Sequence, residues 1–101
     1  MKKLGFIGVG NMGGAIIGGI LKSKKVAAED MIGADHSGQS RERAASLYGI
    51  EMTGDNRKVA AESEILFFCV KPQFLDDVLY EIRDVIPKDR LRAWVAQNTG
   101  K

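Results

Sequence analysis

Leu4-Gly5-Phe6-Ile7-Gly8-Val9-Gly10-Asn11-Met12-Gly13-Gly14 is the stretch that decides the fold of this chain. Leu4 to Ile7 reads as a short buried strand that ends at a glycine turn. From Met12 to about Leu21, the apolar residues Met12, Ala15, Ile16, Ile20 and Leu21 recur at helical spacing. Between them, Gly8, Gly10 and Gly13 form G-x-G-x-x-G. Each glycine has a mechanical role: Gly8 permits the tight turn, Gly10 lets a pyrophosphate approach the backbone, and Gly13 lets the helix pack close to the strand. The helix N-terminus then offers free N–H groups and partial positive charge to phosphates. Asp35 lies 22 residues past Gly13 at the end of a second strand, close to the spacing of about 20 expected for an acid that bonds a ribose 2′-OH. A glycine-rich turn with no ligand is the plainer alternative. It has to explain Gly14, Gly18 and Gly19 as well, at about 1 kcal/mol for each interior helical glycine. Close packing of the helix on the sheet would offset that cost.

Outward from the turn, strand and helix signals alternate. Ser23-Lys24-Lys25 closes the first helix with cations, which suit the negative end of its dipole. Met31 to Ala34 is a second strand, and Asp35-His36-Ser37-Gly38 a turn cluster. Arg41 to Tyr48 is a helix stopped by Gly49. Ile50 and Met52 mark a brief third strand, and Asp55 or Asn56 caps a short helix through about Glu62. Ile65 to Val70 is a continuous apolar run, as expected of a central parallel strand covered on both faces. Phe74, Val78, Leu79, Ile82, Val85 and Ile86 line one side of a helix broken at Pro87-Lys88-Asp89. Leu91 to Ala96 is a poor fifth strand, because Arg92, Trp94 and Gln97 interrupt it. The pattern predicts an α/β domain of Rossmann type: a doubly wound parallel sheet of about five strands, ordered 3-2-1-4-5, with helices on both faces.

The chain has 101 residues, enough for one domain over 1–101. Lys plus Arg is 15 and Asp plus Glu is 13, a balance that favours neither nucleic acid nor a membrane surface as partner. One cysteine, Cys69, excludes an internal disulfide framework and a cysteine-rich zinc site, and the single His36 argues against a histidine metal site. Met1-Lys2-Lys3 resembles the start of a signal peptide, but glycines break the apolar stretch that follows. No run approaches the roughly 18 apolar residues of a membrane span. A cytoplasmic location is the expectation.

Residues 4–20 resemble the opening of pyrroline-5-carboxylate reductases, with Gly10-Asn11-Met12-Gly13 typical of them. Val70-Lys71-Pro72 after the fourth strand is equally typical, followed by a helix beginning near Gln73. Tyr48-Gly49-Ile50 and Asn56 sit where the family places its third strand and a cofactor-facing asparagine. The resemblance extends to about residue 91. It implies hydride transfer from NADPH or NADH to the C=N carbon of pyrroline-5-carboxylate, giving proline. By the same resemblance Gly8, Gly10, Asn11, Met12 and Gly13 hold the pyrophosphate, and Asn56 contacts the adenosine side. Val70, Lys71 and Pro72 line the ribose and nicotinamide. Pro72 also has a local effect, biasing Lys71 away from helix and ending the strand abruptly. Other small NADP-dependent oxidoreductases share parts of these motifs, and a cofactor-binding module without turnover is an alternative from a different class. A third alternative is a nonfunctional truncated product whose exposed edges aggregate.

Two departures stand out. After Leu91 the family runs into Ser-Ile-Ala-Ala-Gly, whereas this chain reads Arg92-Ala93-Trp94-Val95-Ala96-Gln97-Asn98-Thr99-Gly100-Lys101. The family's C-terminal helical domain supplies most of the imine pocket and the subunit interface of a homo-oligomer. The chain is therefore expected to be truncated, inactive alone and prone to self-association. No catalytic residue is assigned. Asp35 is the candidate ribose ligand, and His36, Ser37 and Arg41 are candidate contacts to a phosphate. His36 is equally well read as a solvated turn residue; Arg41 and Arg43 are read as reaching a 2′-phosphate or facing water, with water favoured for Arg43. Cys69 is read as a buried inert thiol. Lys71 is read as acting through its backbone position, not its ammonium. Asp76, Asp77, Glu81 and Asp84 are read as the wet face of the last helix.

Overall fold

A computed structural model describes residues 1–86 together with the backbone of 91–94. Strands and helices alternate: β1 (Lys2–Ile7), α1 (Asn11–Ser23), β2 (Met31–Ala34), α2 (Gly38–Tyr48), β3 (Glu51–Thr53), α3 (Asn56–Glu62), β4 (Ser63–Phe68), α4 (Pro72–Ile82) and β5 (Leu91–Trp94). The strands form one parallel sheet in the order β3-β2-β1-β4-β5. This is the expected Rossmann-type arrangement, with β1 at the switch point between two directions of winding.

Alternation along β1 divides the core. Leu4 and Phe6 point to one face with Met31, Ile17 of α1 and Ala44 of α2. Ile7 points to the other with Ile32, Ala34, Val59 of α3, and Val78 and Ile82 of α4. Phe6 pairs with Phe67 across the β1–β4 ladder, and their rings stack at 5.0 Å. Gly5 shares the α3 face. A Cβ there would stand 1.9 Å from the Ser63 hydroxyl oxygen and 2.9 Å from a Val59 methyl, so the absent side chain admits α3. The Ser63 hydroxyl donates to the Val59 carbonyl at 2.7 Å, which satisfies a buried polar group.

Helix ends follow local chemistry. Ser37 caps α2 by accepting the Ser40 N–H at 3.2 Å, so that helix begins at Gly38, earlier than the expected Arg41. Gly49 closes it in the left-handed region with its N–H on the Ala45 carbonyl. Of the two cap candidates for α3, Asp55 takes the role, its carboxylate accepting from the N–H groups of Arg57 and Lys58. α1 ends at Ser23, and Lys24 takes the left-handed position that glycine would favour.

Several expectations shift. The fourth strand is Ser63–Phe68, so Cys69 and Val70 lie past its end, although the Cys69 N–H still donates to Ile7 at 2.8 Å. Phe74, expected on the apolar side of α4, is 52% exposed. It sits in the first turn of α4. Val85 and Ile86 pack against the core from the turn after the helix. The expected break at Pro87-Lys88-Asp89, the end of the fifth strand at Val95 and Ala96, and most of the departing tail lie outside the described residues.

The α1 glycines are also corrected. Gly14 and Gly18 do not face the sheet. They face Tyr48 of α2, whose hydroxyl would stand 2.9 Å from a Cβ on Gly14. Gly19 has nothing within 4 Å of such a Cβ, so close packing does not offset its helical cost. Gly19→Ala is expected to raise stability by about 0.5–1 kcal/mol, read as a higher urea midpoint at unchanged slope. A lower midpoint would mean that this face of α1 is covered.

Candidate functional site

The glycine turn joins β1 to α1 at the carboxyl end of the sheet. Gly8 has φ +89° and donates its N–H to Ala34 of β2 at 2.8 Å. A side chain there would meet both the Cys69 carbonyl oxygen at 2.8 Å and a Val70 methyl at 2.9 Å. The chain at this point is held between the ends of β2 and β4, and only glycine fits. A Cβ on Gly13 would stand 2.7 Å from the Gly8 carbonyl oxygen. The first turn of α1 therefore rests directly on the end of β1, which is the packing read for that glycine.

Gly10 is exposed and is the residue before the first turn of α1. It provides no side-chain cap, and no acid occupies that turn. A helix of 13 residues thus presents its first N–H groups, at Asn11, Met12 and Gly13, without a side-chain acceptor. The partial positive charge there suits an anion.

Asp35 joins this turn to the next. One carboxylate oxygen accepts the Val9 N–H at 3.0 Å and the other accepts the Ser37 N–H at 3.0 Å. Arg41 donates to the Asp35 carbonyl at 2.8 Å. Sequence spacing placed Asp35 at the end of β2 but did not reveal this bracing of the loop. His36 lies 3.7 Å from the Asp35 carboxylate with its ring fully exposed. Ser37 is committed to capping α2.

Val70 touches the turn through the space a Gly8 side chain would need. Lys71 is extended, at φ −64° and ψ 148°, as a residue before proline should be, and Pro72 starts α4. Both are exposed, and the Lys71 carbonyl accepts from Phe74. Asn56 is placed differently. Its amide donates to Glu81 at 3.0 Å, while Arg57 forks onto Asp84 at 2.6 and 3.1 Å. That guanidinium holds the Asp84 carboxyl below the usual carboxylate range. These bonds tie α3 to α4, so Glu81 and Asp84 are not simply the wet face of the last helix. No hydrogen bond links the Asn56 side chain to the glycine turn.

Cys69 is 1% exposed, and burial pushes its thiol up to about 11. The folded state holds this proton more tightly than the unfolded chain does, so the contribution is complete below pH 9 and is lost as pH rises towards 11. Relative to Cys69→Ala, the wild type is expected to lose on the order of 2–3 kcal/mol of stability across that window. Urea unfolding of both proteins at pH 8 and pH 11 checks this. Parallel losses in the two would refute it.

One feature was not read from the sequence. Val9, Gly10, Asn11, Gly14, Ala15, Ser40, Arg43, Ala44, Leu47 and Tyr48 enclose a groove of about 540 Å³ between α1 and α2. The positions 40, 43, 44, 47 and 48 have the spacing of one helix face. That spacing is visible in the sequence, but only Ala44 of α2 is fully buried, and the helix carries no apolar stripe to mark the face.

Known proteins resemble this chain in sequence and in fold. A pyrroline-5-carboxylate reductase from Methanosarcina acetivorans is 34% identical over 90 residues, covering 89% of this chain and 33% of its own. One from Escherichia coli is 36% identical over 95 residues, covering 94% and 35%. The solved structure of a pyrroline-5-carboxylate reductase from Coxiella burnetii superposes with a TM-score of 0.86 at 24% identity, over 94% of this chain and 35% of that one. This chain therefore spans about a third of the length of the relatives it matches. No helix among the described residues is long and apolar enough to cross a membrane. With residues 3–91 matching its pattern, and with the two pyrroline-5-carboxylate reductases above among its relatives, the chain belongs to the family described as NADP oxidoreductase, coenzyme F420-dependent.

Proposed function

We propose that this chain holds NADPH or NADH as the cofactor-binding part of a pyrroline-5-carboxylate reductase, an enzyme of proline synthesis. The observation that carries the proposal is the uncapped N-terminus of α1 behind an exposed Gly10, at the switch point of the sheet. The backbone N–H groups of Asn11, Met12 and Gly13 receive the pyrophosphate. Gly8 and Gly13 bring that helix end close enough to the strand for the purpose. Asp35 keeps acceptor capacity beyond its two backbone bonds, and this serves the ribose 2′-OH. Val70, Lys71 and Pro72 border the path towards the nicotinamide. Asn56 reaches the adenosine side once released from Glu81, with His36 and Ser37 at the rim of the β2–α2 turn.

The bound nicotinamide supplies the hydride, and these residues hold it in place. The imine substrate needs a second surface facing the nicotinamide, because holding two reactants in reacting geometry can lower the barrier by about 7–11 kcal/mol. Residues 1–101 alone are therefore expected to bind NADPH or NADH in calorimetric titration and not to reduce pyrroline-5-carboxylate. Turnover at about 1 per second or faster would overturn the second expectation, and absence of binding to either cofactor would overturn the first. Self-association through uncovered apolar surface and a cytoplasmic setting accompany this reading. Phe74, Tyr80 and Leu47 are large exposed hydrophobics that such association would cover.

A further inference from the structure

We propose that Tyr48 is a positioning residue: its ring, seated on Gly14 and Gly18, sets how α1 lies and so where the N–H groups of Asn11, Met12 and Gly13 aim. The inference rests on the cofactor reading above and adds to it a residue that acts on the site through α1, without touching the cofactor.

The seat is one helical turn long. A Cβ on Gly18 would stand 3.6 Å from Cε1 of the Tyr48 ring, and a Cβ on Gly14 would stand 2.9 Å from the Tyr48 hydroxyl oxygen. Positions 14 and 18 share one face of a helix. The ring therefore lies along α1 with its hydroxyl towards the glycine turn. At Gly18 an alanine methyl would make only ordinary contact with the ring. At Gly14 it would press on the hydroxyl, and either the helix would lift or the ring would leave its seat.

Local chemistry aims the ring. Tyr48 is the last residue of α2, and Gly49 follows at φ +70° with its N–H on the Ala45 carbonyl at 3.0 Å. Ile50 is then buried in the same core as Ile17 of α1, against which Tyr48 also packs. Tyr48-Gly49-Ile50 thus pins the end of α2 beside α1. The Tyr48 hydroxyl makes no hydrogen bond among the described residues, so shape transmits the position and not a bond. The path to the site is short. Gly14 donates its N–H to the Gly10 carbonyl at 2.8 Å, and Gly10 immediately precedes α1. On its other side, α1 rests on β1, where a Cβ on Gly13 would stand 2.7 Å from the Gly8 carbonyl oxygen. The start of α1 is held between these two contacts.

Calorimetric titrations of NADPH and NADH test this, at a temperature where circular dichroism shows each chain folded. Tyr48→Ala and Gly14→Ala should each weaken both cofactors by about tenfold or more, the worth of one well-aimed charge-assisted bond. The NADPH-to-NADH affinity ratio should not change, because both share the pyrophosphate. Tyr48→Phe keeps the ring and should cost less than about threefold, and adding it to Gly14→Ala should restore affinity to within about threefold of wild type, as coupled neighbours do. Gly19→Ala makes the same chemical change on α1 where nothing lies within 4 Å, and should leave affinity unchanged. Should Tyr48→Ala fail to fold, Gly14→Ala with and without Tyr48→Phe decides the matter. A loss in Gly14→Ala that Tyr48→Phe does not rescue would overturn the proposal, because the new methyl would then block the cofactor itself. A tenfold loss in Tyr48→Phe alone would overturn it by making the hydroxyl a direct contact. Unchanged affinity in Gly14→Ala, with only the melting temperature altered, would reduce the seat to a stability role and also overturn it. Each of these outcomes leaves the cofactor reading standing. Failure of the wild type to bind either cofactor would overturn both.

Discussion

Gly10→Val is expected to weaken NADPH and NADH binding by about 100-fold or more while leaving the domain folded. Gly10 is exposed at the mouth of the turn and immediately precedes the free N–H groups of α1. A valine there places three carbon atoms where the pyrophosphate must approach. Losing two charge-assisted hydrogen bonds, each worth about 1.5–3 kcal/mol, accounts for the fold-change. The backbone at this position has φ −89° and ψ −148°, so the substitution does not meet a positive φ. Valine is a poorer helix cap than glycine by about 1 kcal/mol, so only a modest fall in melting temperature should accompany the loss, about 4–8 °C. Calorimetric titration alongside thermal melting separates the two effects. Retained affinity for both cofactors would show that the phosphates do not approach the chain at Gly10.

A second glycine five residues earlier should behave in the opposite way. Gly5→Val is expected to destabilise the fold by about 3 kcal/mol or more, at the upper end of overpacking costs. In a chain of this length total stability is only about 5–15 kcal/mol. The new Cβ would overlap the Ser63 hydroxyl at 1.9 Å, its Cβ at 2.7 Å and a Val59 methyl at 2.9 Å. β1 cannot retreat, because it is paired with β2 on one side and β4 on the other. α3 cannot retreat cheaply either, since Val59 and Ala60 are buried in the same core. The urea midpoint should fall steeply, and Ser63→Gly in the same chain should recover part of the loss. Where Gly10→Val separates binding from folding, Gly5→Val should lower cofactor binding only in proportion to the unfolded fraction. A melting temperature within about 2 °C of wild type, where about 3 kcal/mol corresponds to roughly 12–24 °C, would show that α3 does not seat on Gly5.

The two glycines mark what was legible in the linear chain. Gly8, Gly10 and Gly13 were readable because their spacing is set by one turn and one helix start, which are local structures. The same holds for β2, for the stop at Gly49 and for the apolar β4, where short-range periodicity carries the signal. Together with the alternation of strand and helix, these determined a parallel sheet with β1 at its switch point, and the observed order agrees. Gly5 was not legible as a packing site, because the atoms that exclude its side chain belong to residues 59 and 63. Gly14 and Gly18 were read against the wrong neighbour for the same reason: Tyr48 reaches them only after α2 folds beside α1. Tertiary structure alone decided that Asp35 braces the glycine turn through Val9, that Asn56 is bonded to Glu81, and that Phe74 turns outward. It also decided that Arg43 shares a groove with Gly10. The sequence determines a glycine's torsions and a helix's period because both are local. A hydrogen bond or a groove wall between residues about 25 to 35 apart depends on how the crossovers lie on the sheet, and only the folded chain specifies that.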